Sequence, residues 1–330
     1  MNEHASGPVP PFFKDPTCEQ AVSAMNQLLV DLEARLIEGF TVPPHPTIFI
    51  CGAPRSGTTL VLQLLIAAYH IGYVTNLTAR FWEAPYLGAL ISLDLQKRKR
   101  VGSTDLKSVF GATYGFDGPH EFGFFWRKWF PYSADSHAPC PEQLGSIDYS
   151  VLRKELAALQ SLTGTPWAFK NPIVFSLNIE RLAREVPGSL FVICKRDPVY
   201  VSQSLLESRE QRFGKRDTWF SVKPPEYDWL KDLPPWDQVA GQVFFTEKRI
   251  DEAVRELEPL RVLTVDYPDL CREPAAQLAR VGEAIAGLGG DLAPTGYQPE
   301  PLESTDVVRI GTEGFEKLAE AYRRLAEGAD

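Results

Sequence analysis

The chain has 330 residues, of which 44% are hydrophobic and 23% charged, with a formal net charge of −9. This is ordinary globular composition, and a chain of this length buries a large core without disulfides. The negative balance excludes nucleic acid or an anionic membrane surface as the expected main partner, so an anionic ligand calls for a local cationic pocket.

Residues 1–16 are rich in proline and polar side chains and read as a flexible arm. Ala21, Met25, Leu28, Leu29, Leu32 and Leu36 recur at helical spacing, which predicts a helix over Thr17–Phe40 with Gly39 at its stop. After a proline-rich linker, Thr47–Cys51 is short, apolar and β-branched, the pattern of a buried parallel strand. A glycine-rich turn, Gly52–Gly57, leads into a helix over Thr59–Tyr69. Region 80–165 is aromatic and glycine-rich and gives no clear periodicity. Further strands are expected at Ser189–Cys194 and Arg261–Val265. Helices are expected over Ser176–Glu185, Val199–Glu210, Asp237–Leu257, Glu273–Leu288 and from Glu313 to Leu325. Lys223–Trp236 reads as a loop over the site. Strands alternating with helices predict an α/β fold with a mostly parallel central sheet flanked by helices.

Cys18, Cys51, Cys140, Cys194 and Cys271 are odd in number, far apart and form no CxxC pair. That disfavours zinc and a disulfide framework and suits a reducing cytoplasm. The longest apolar run, Leu60–Val74, is broken by Gln63 and His70 and is too short for a transmembrane span. No basic stretch followed by an apolar core marks a secretion signal, so a cytoplasmic location is expected.

The chemistry concentrates in Gly52-Ala53-Pro54-Arg55-Ser56-Gly57-Thr58-Thr59, placed between a strand and a helix. Glycines let several backbone N–H groups converge on one anion, and the helix N-terminus adds its positive dipole end. Thr58 and Thr59 offer hydroxyl donors, and Arg55 a permanent charge. The loop departs from GxxxxGK[ST]: Thr58 stands where a P-loop kinase has lysine. No magnesium ligand set is evident, so no metal is expected.

Pro54–Thr59 resembles the 5'-phosphosulfate loop of the sulfotransferases that use 3'-phosphoadenylyl sulfate (PAPS), a P-loop fold with bacterial-type members. Lys195-Arg196-Asp197-Pro198, with Ser204 on the following helix, resembles that family's 3'-phosphate segment. The resemblance implies that Arg55, Ser56, Gly57, Thr58 and Thr59 hold the 5' end of the donor, and that Arg196 and Ser204 hold its 3'-phosphate. Thr264–Leu270 is similar to a family strand end whose tyrosine lies near the adenine, which implicates Tyr267, although Pro268 replaces the usual acid. Arg309-Ile310-Gly311 is faintly similar to a further 3'-phosphate segment, but a surface loop is the expected reading. The resemblance spans about residues 47–290. It implies a sulfotransferase domain there, preceded by an arm and helix (1–46) and followed by a loop and helix (291–330) packed on the same domain.

The implied reaction moves a sulfonate from PAPS, leaving 3'-phosphoadenosine 5'-phosphate (PAP), to a hydroxyl of a small molecule, glycan or glycolipid. Arg55 falls on the leaving-group side and, with its high pKa, acts electrostatically. Lys170, in Trp167–Pro172, matches a family lysine able to meet the sulfonate oxygens. The family histidine two residues on is Pro172 here. Glu83 is the first candidate for general base, and His120 and Glu121 are its rivals. The aromatic run Phe122–Phe130 is expected mostly in the core. Competing readings are a P-loop small-molecule kinase and a non-catalytic PAP- or PAPS-binding protein. The oligomeric state stays open.

Overall fold

Six consecutive buried residues, Thr47–Gly52, form strand β1. The other strands are β2 (Gly72–Tyr73), β3 (Ser108–Val109), β4 (Ala112–Thr113), β5 (Trp167–Lys170), β6 (Leu190–Lys195) and β7 (Val262–Asp266). They belong to a computed structural model that describes residues 15–98, 108, 109, 112–138 and 140–328. The expected N-terminal arm lies outside the described residues except for Asp15 and Pro16, which cap and begin the first helix. The central sheet runs β2-β5-β1-β6-β7, and each of its pairings is parallel. β3 and β4 form a separate antiparallel hairpin.

Strand alternation divides the core into two layers. On one face Phe49 stacks between Phe169 and Phe191, with centroids 6.1 and 5.6 Å away, and meets Trp126 edge-on. On the other, Ile48, Ile50, Ala168 and Val192 pack against Val61, Leu65, Val281 and Ile285. Those last four lie on helices Thr58–Ala68 and Pro274–Gly287. Both faces are therefore covered by helices, as a parallel sheet requires.

Register fixes the site. Gly52 at the end of β1 sits opposite Cys194 of β6, and Ile50 sits opposite Lys170, the last residue of β5. The turn after β1, Lys170 and Arg196 thus leave the sheet at one carboxyl edge.

The N-terminal helix, Pro16–Leu36, does not bury its leucine stripe. Leu28 is 82% exposed, whereas Asn26 and Glu33 are buried. The Glu33 carboxylate accepts the N–H groups of Tyr86 (2.6 Å) and Leu87 (3.3 Å), capping helix Pro85–Arg98. Hydrogen bonding at that helix start decided the face, not apolar area. At the other end, helix Thr312–Glu327 packs on helix Pro235–Arg255 through Phe244–Tyr322 contact and an Arg324–Asp237 ion pair of 2.6 Å. The expected loop 223–236 contains one short helix, Tyr227–Leu230, and its last two residues, Pro235 and Trp236, already open helix Pro235–Arg255.

Candidate active site

A cavity of about 590 Å³ opens at the carboxyl edge of the sheet. Its cationic lining is Arg55, Arg127, Lys170, Arg196 and Arg212, and Glu121 is the carboxylate facing them among the described residues. In a chain of net charge −9, this concentrates positive potential in one cleft, where a low-dielectric wall strengthens it.

The loop after β1 owes its shape to two left-handed residues. Gly57 has φ +101° and caps helix Thr58–Ala68, and Arg55 has φ +74°. A Cβ on Gly57 would meet Tyr267 Cδ2 at 2.9 Å, so glycine is needed for both backbone and space. A non-glycine residue in this region is a strained feature of the kind found at functional sites. The strain turns the Arg55 side chain inward, where its Nε donates to Ser204 Oγ at 3.0 Å. Burial, with Arg196 alongside, lowers the Arg55 pKa, and an anion bound between the two relieves that repulsion. Ser56 lies beneath the loop, 1% exposed, and its hydroxyl has no hydrogen-bond partner among the described residues.

Arg196 leaves the end of β6 and stacks over the Tyr267 ring, its guanidinium carbon 4.3 Å from the centroid. Nη1 donates to the carbonyl of Arg55 at 3.0 Å, tying strand end to loop. Tyr267 fills the gap between Gly57 and Arg196, and its hydroxyl lies 2.9 Å from Thr305 Oγ1. Behind Arg196, Gln203 grips the C-terminal segment: its amide donates to the Val307 carbonyl (2.9 Å) and accepts from Arg309 N–H (2.9 Å). Arg309 pairs with Glu207 at 2.7 Å and donates to the Thr305 carbonyl at 2.8 Å.

Lys170 is buried, with only 3% of its side chain exposed. Its ammonium donates to Thr59 Oγ1 at 3.0 Å and makes a short ion pair with Glu121 Oε1. Asn171 Nδ2 donates to the Glu121 backbone carbonyl at 3.1 Å, so the residue is held at its backbone as well as through its carboxylate. Glu121 keeps 35% of its side chain exposed, facing the cavity. His120 also lines the cavity, and its Nδ1 accepts the Phe122 N–H at 2.9 Å.

A family model described as "Sulfotransferase family" matches residues 46–288. The chain belongs to the sulfotransferase family. Among curated sulfotransferases, the omega-hydroxy-beta-dihydromenaquinone-9 sulfotransferases Stf3 of Mycobacterium bovis and Mycobacterium tuberculosis are each 24% identical over 276 residues. Each match covers 76% of this chain, which spans 64% of the length of those relatives. Among solved structures, sulfotransferase STF9 from Mycobacterium avium is 18% identical with a TM-score of 0.51, covering 94% of this chain and 78% of that one. That likeness is one of fold.

This sulfotransferase chain brings Arg55, Gly57, Thr58, Thr59, His120, Lys170, Arg196 and Tyr267 together on one cavity wall. Ser204 lies just behind the wall, bonded to Arg55. Glu83 is elsewhere: its N–H is held by Asn26 (2.9 Å) and its carboxylate faces Lys128 (3.5 Å), which also binds buried Glu155 at 2.9 Å. Of the aromatic run, Phe125, Trp126, Trp129 and Phe130 are buried, whereas Phe124 is 50% exposed and lines the cavity. Thr305, Asp306, Arg127 and Arg212 escaped the sequence reading.

Proposed function

We propose that this protein is a PAPS-dependent sulfotransferase that moves a sulfonate group to a hydroxyl of a small molecule, glycan or glycolipid. The carrying observation is the convergence of Arg55, Lys170 and Arg196 on one cavity beside Glu121, the carboxylate that lines it among the described residues. The residues fit the donor: Gly57 leaves a cradle that a Cβ would fill, and Arg55, Lys170 and Arg196 present three cations to the cavity from the loop and the strand ends. When bound, PAPS supplies a sulfonate already attached to a good leaving group. Gly57, Thr58 and Thr59 would hold the 5'-phosphosulfate through backbone N–H and hydroxyl donors. Arg196, with Ser204, would hold the 3'-phosphate, and Tyr267 would border the adenine.

Glu121 is the base that this geometry favours. Lys170 holds its Oε1, fixing the carboxylate toward the cavity, and Oε2 takes the acceptor proton. His120 is arranged otherwise: with Nδ1 accepting a backbone N–H, the neutral ring carries its proton on Nε2 and acts as a donor. Glu83 serves the fold, since it is held between Asn26 and Lys128 away from the cavity wall. Lys170 and Arg55 meet charge developing on the sulfonate and the leaving oxygen. Phe124, Tyr132, Ile173 and Phe220 give the acceptor an apolar, aromatic wall. Five free thiols fit a reducing cytoplasm as the working compartment. No helix of the described residues is long and apolar enough to cross a membrane.

Thermal unfolding with PAP, and separately with ATP and magnesium, tests the donor. PAP raises the Tm of the native protein by mass action and has little effect on Arg196→Ala. A shift with magnesium–ATP alone would instead support a kinase, despite Thr58 standing at the lysine position.

A further inference from the structure

The guanidinium assigned to the donor's 3'-phosphate already holds an anion. Asp306 Oδ1 accepts from Arg196 Nε at 2.7 Å and lies 2.6 Å from Nη2. Nη2 also donates to Thr305 Oγ1 at 3.0 Å. Nε and Nη2 form the edge of arginine that takes an oxyanion in a fork-to-fork pair. The opposite edge is committed to the Arg55 carbonyl. Arg196 is buried, with 5% of its side chain exposed, and the Asp306 side chain is only 14% exposed. A phosphate that meets Arg196 through two hydrogen bonds must therefore take the place of the Asp306 carboxylate.

The segment that carries Asp306 is built to let it go without coming loose. Val307 and Arg309 are anchored on Gln203, and Arg309 is anchored again on Glu207. On the other side, Thr305 is held by the Tyr267 hydroxyl, which accepts its N–H at 3.2 Å. Among the described residues, Asp306 forms an ion pair with one side-chain cation, Arg196. One carboxylate thus sits between two tethered neighbours, on a site where a stronger anion would compete.

We propose that Asp306 is a specificity-determining residue: a resident anion on Arg196 that only a nucleotide carrying a 3'-phosphate displaces. This rests on the donor-site reading given above. A dianion offers Arg196 more charge than one carboxylate and wins the exchange. A nucleotide without the 3'-phosphate leaves Asp306 in place and gains nothing at this end of the cavity. The carboxylate also keeps the buried Arg196 compensated, and removing it leaves a buried charge that a phosphate then satisfies.

Calorimetric titration of the full chain with PAP and with AMP, on native protein and Asp306→Asn, tests this. Asparagine keeps the shape and loses the charge. The expected result is a PAP Kd at least about tenfold lower in the variant, with the AMP Kd changed by less than about twofold. An unchanged or raised PAP Kd would overturn the proposal and make Asp306 a positioning residue for Arg196. Equal tightening of PAP and AMP would overturn it too. Should Asp306→Asn not fold, amide exchange on the native chain decides. PAP is expected to speed exchange at residues 304–307 while AMP does not, and slowing by PAP would contradict the displacement. Native protein that binds no PAP would overturn the donor reading along with this one. Binding of PAP with the wrong response in the variant overturns only this one.

Discussion

Gly57→Ala probes the loop after β1 at its tightest point. Alanine at φ +101° costs about 1–2 kcal/mol of backbone strain. Its Cβ would also stand 2.9 Å from Tyr267 Cδ2. Tyr267 cannot easily retreat, because Arg196 lies on its ring at 4.3 Å and its hydroxyl is bonded to Thr305 at 2.9 Å. Overpacking of this sort adds about 1–3 kcal/mol, giving a total of about 2–5 kcal/mol by adding the two ranges. With an unfolding entropy of about 2.1 cal/mol/K per residue, a chain of 330 residues loses about 1.5 °C of Tm per kcal/mol, so a drop of about 3–7 °C is expected. Calorimetric scans measure it, and PAP titration should show weakened binding because the loop N–H groups move with the backbone. A double-mutant cycle with Tyr267→Leu should recover the contact portion and leave the strain. A Gly57→Ala protein within about 0.5 kcal/mol of native, binding PAP normally, would refute the idea that Tyr267 pins the loop.

Two further predictions concern groups away from the chemistry. Burial raises the Glu247 carboxyl from 4.5 to about 7. A raised folded-state pKa means that its contribution is full below the unfolded value and is lost as pH climbs to about 7. Glu247→Gln should flatten this fall by up to about 3 kcal/mol in urea melts between pH 5 and 8, and an unchanged pH profile would argue against the neutral buried carboxyl. Glu33→Ala removes the cap on helix Pro85–Arg98 and should cost about 1–2 kcal/mol of stability. PAP affinity should be unaltered, and a large affinity loss would show that the N-terminal helix acts on the site.

The cavity wall that carries Arg55, Lys170 and Arg196 was readable because its signals are local. A β-branched strand, a glycine turn and a helix start are adjacent in sequence, and Arg196 follows directly on an apolar strand. Lys170 could be placed for the same reason, at the end of the short run Trp167–Phe169. The two-residue strand β2 is too short to carry a period. The fate of Glu83 depends on Lys128 and Asn26, which reach it only through tertiary packing. The same holds for the exposed leucines of the first helix, whose face was chosen by Glu33 capping a helix start some 50 residues away in sequence. Nothing in residues 300–310 announces that Asp306 reaches Arg196, because a short polar run after Pro299 and Pro301 looks like any loop.

The central claim is tested most directly by following label from 35S-PAPS into organic product across a panel of hydroxyl acceptors, with native protein, Glu121→Gln and Glu83→Gln. Transfer by native protein is expected, falling by about 10²–10⁴ in Glu121→Gln with PAP binding retained, and nearly intact in Glu83→Gln. Native protein that binds PAP yet labels no acceptor, or Glu121→Gln that transfers as fast as native, would contradict it.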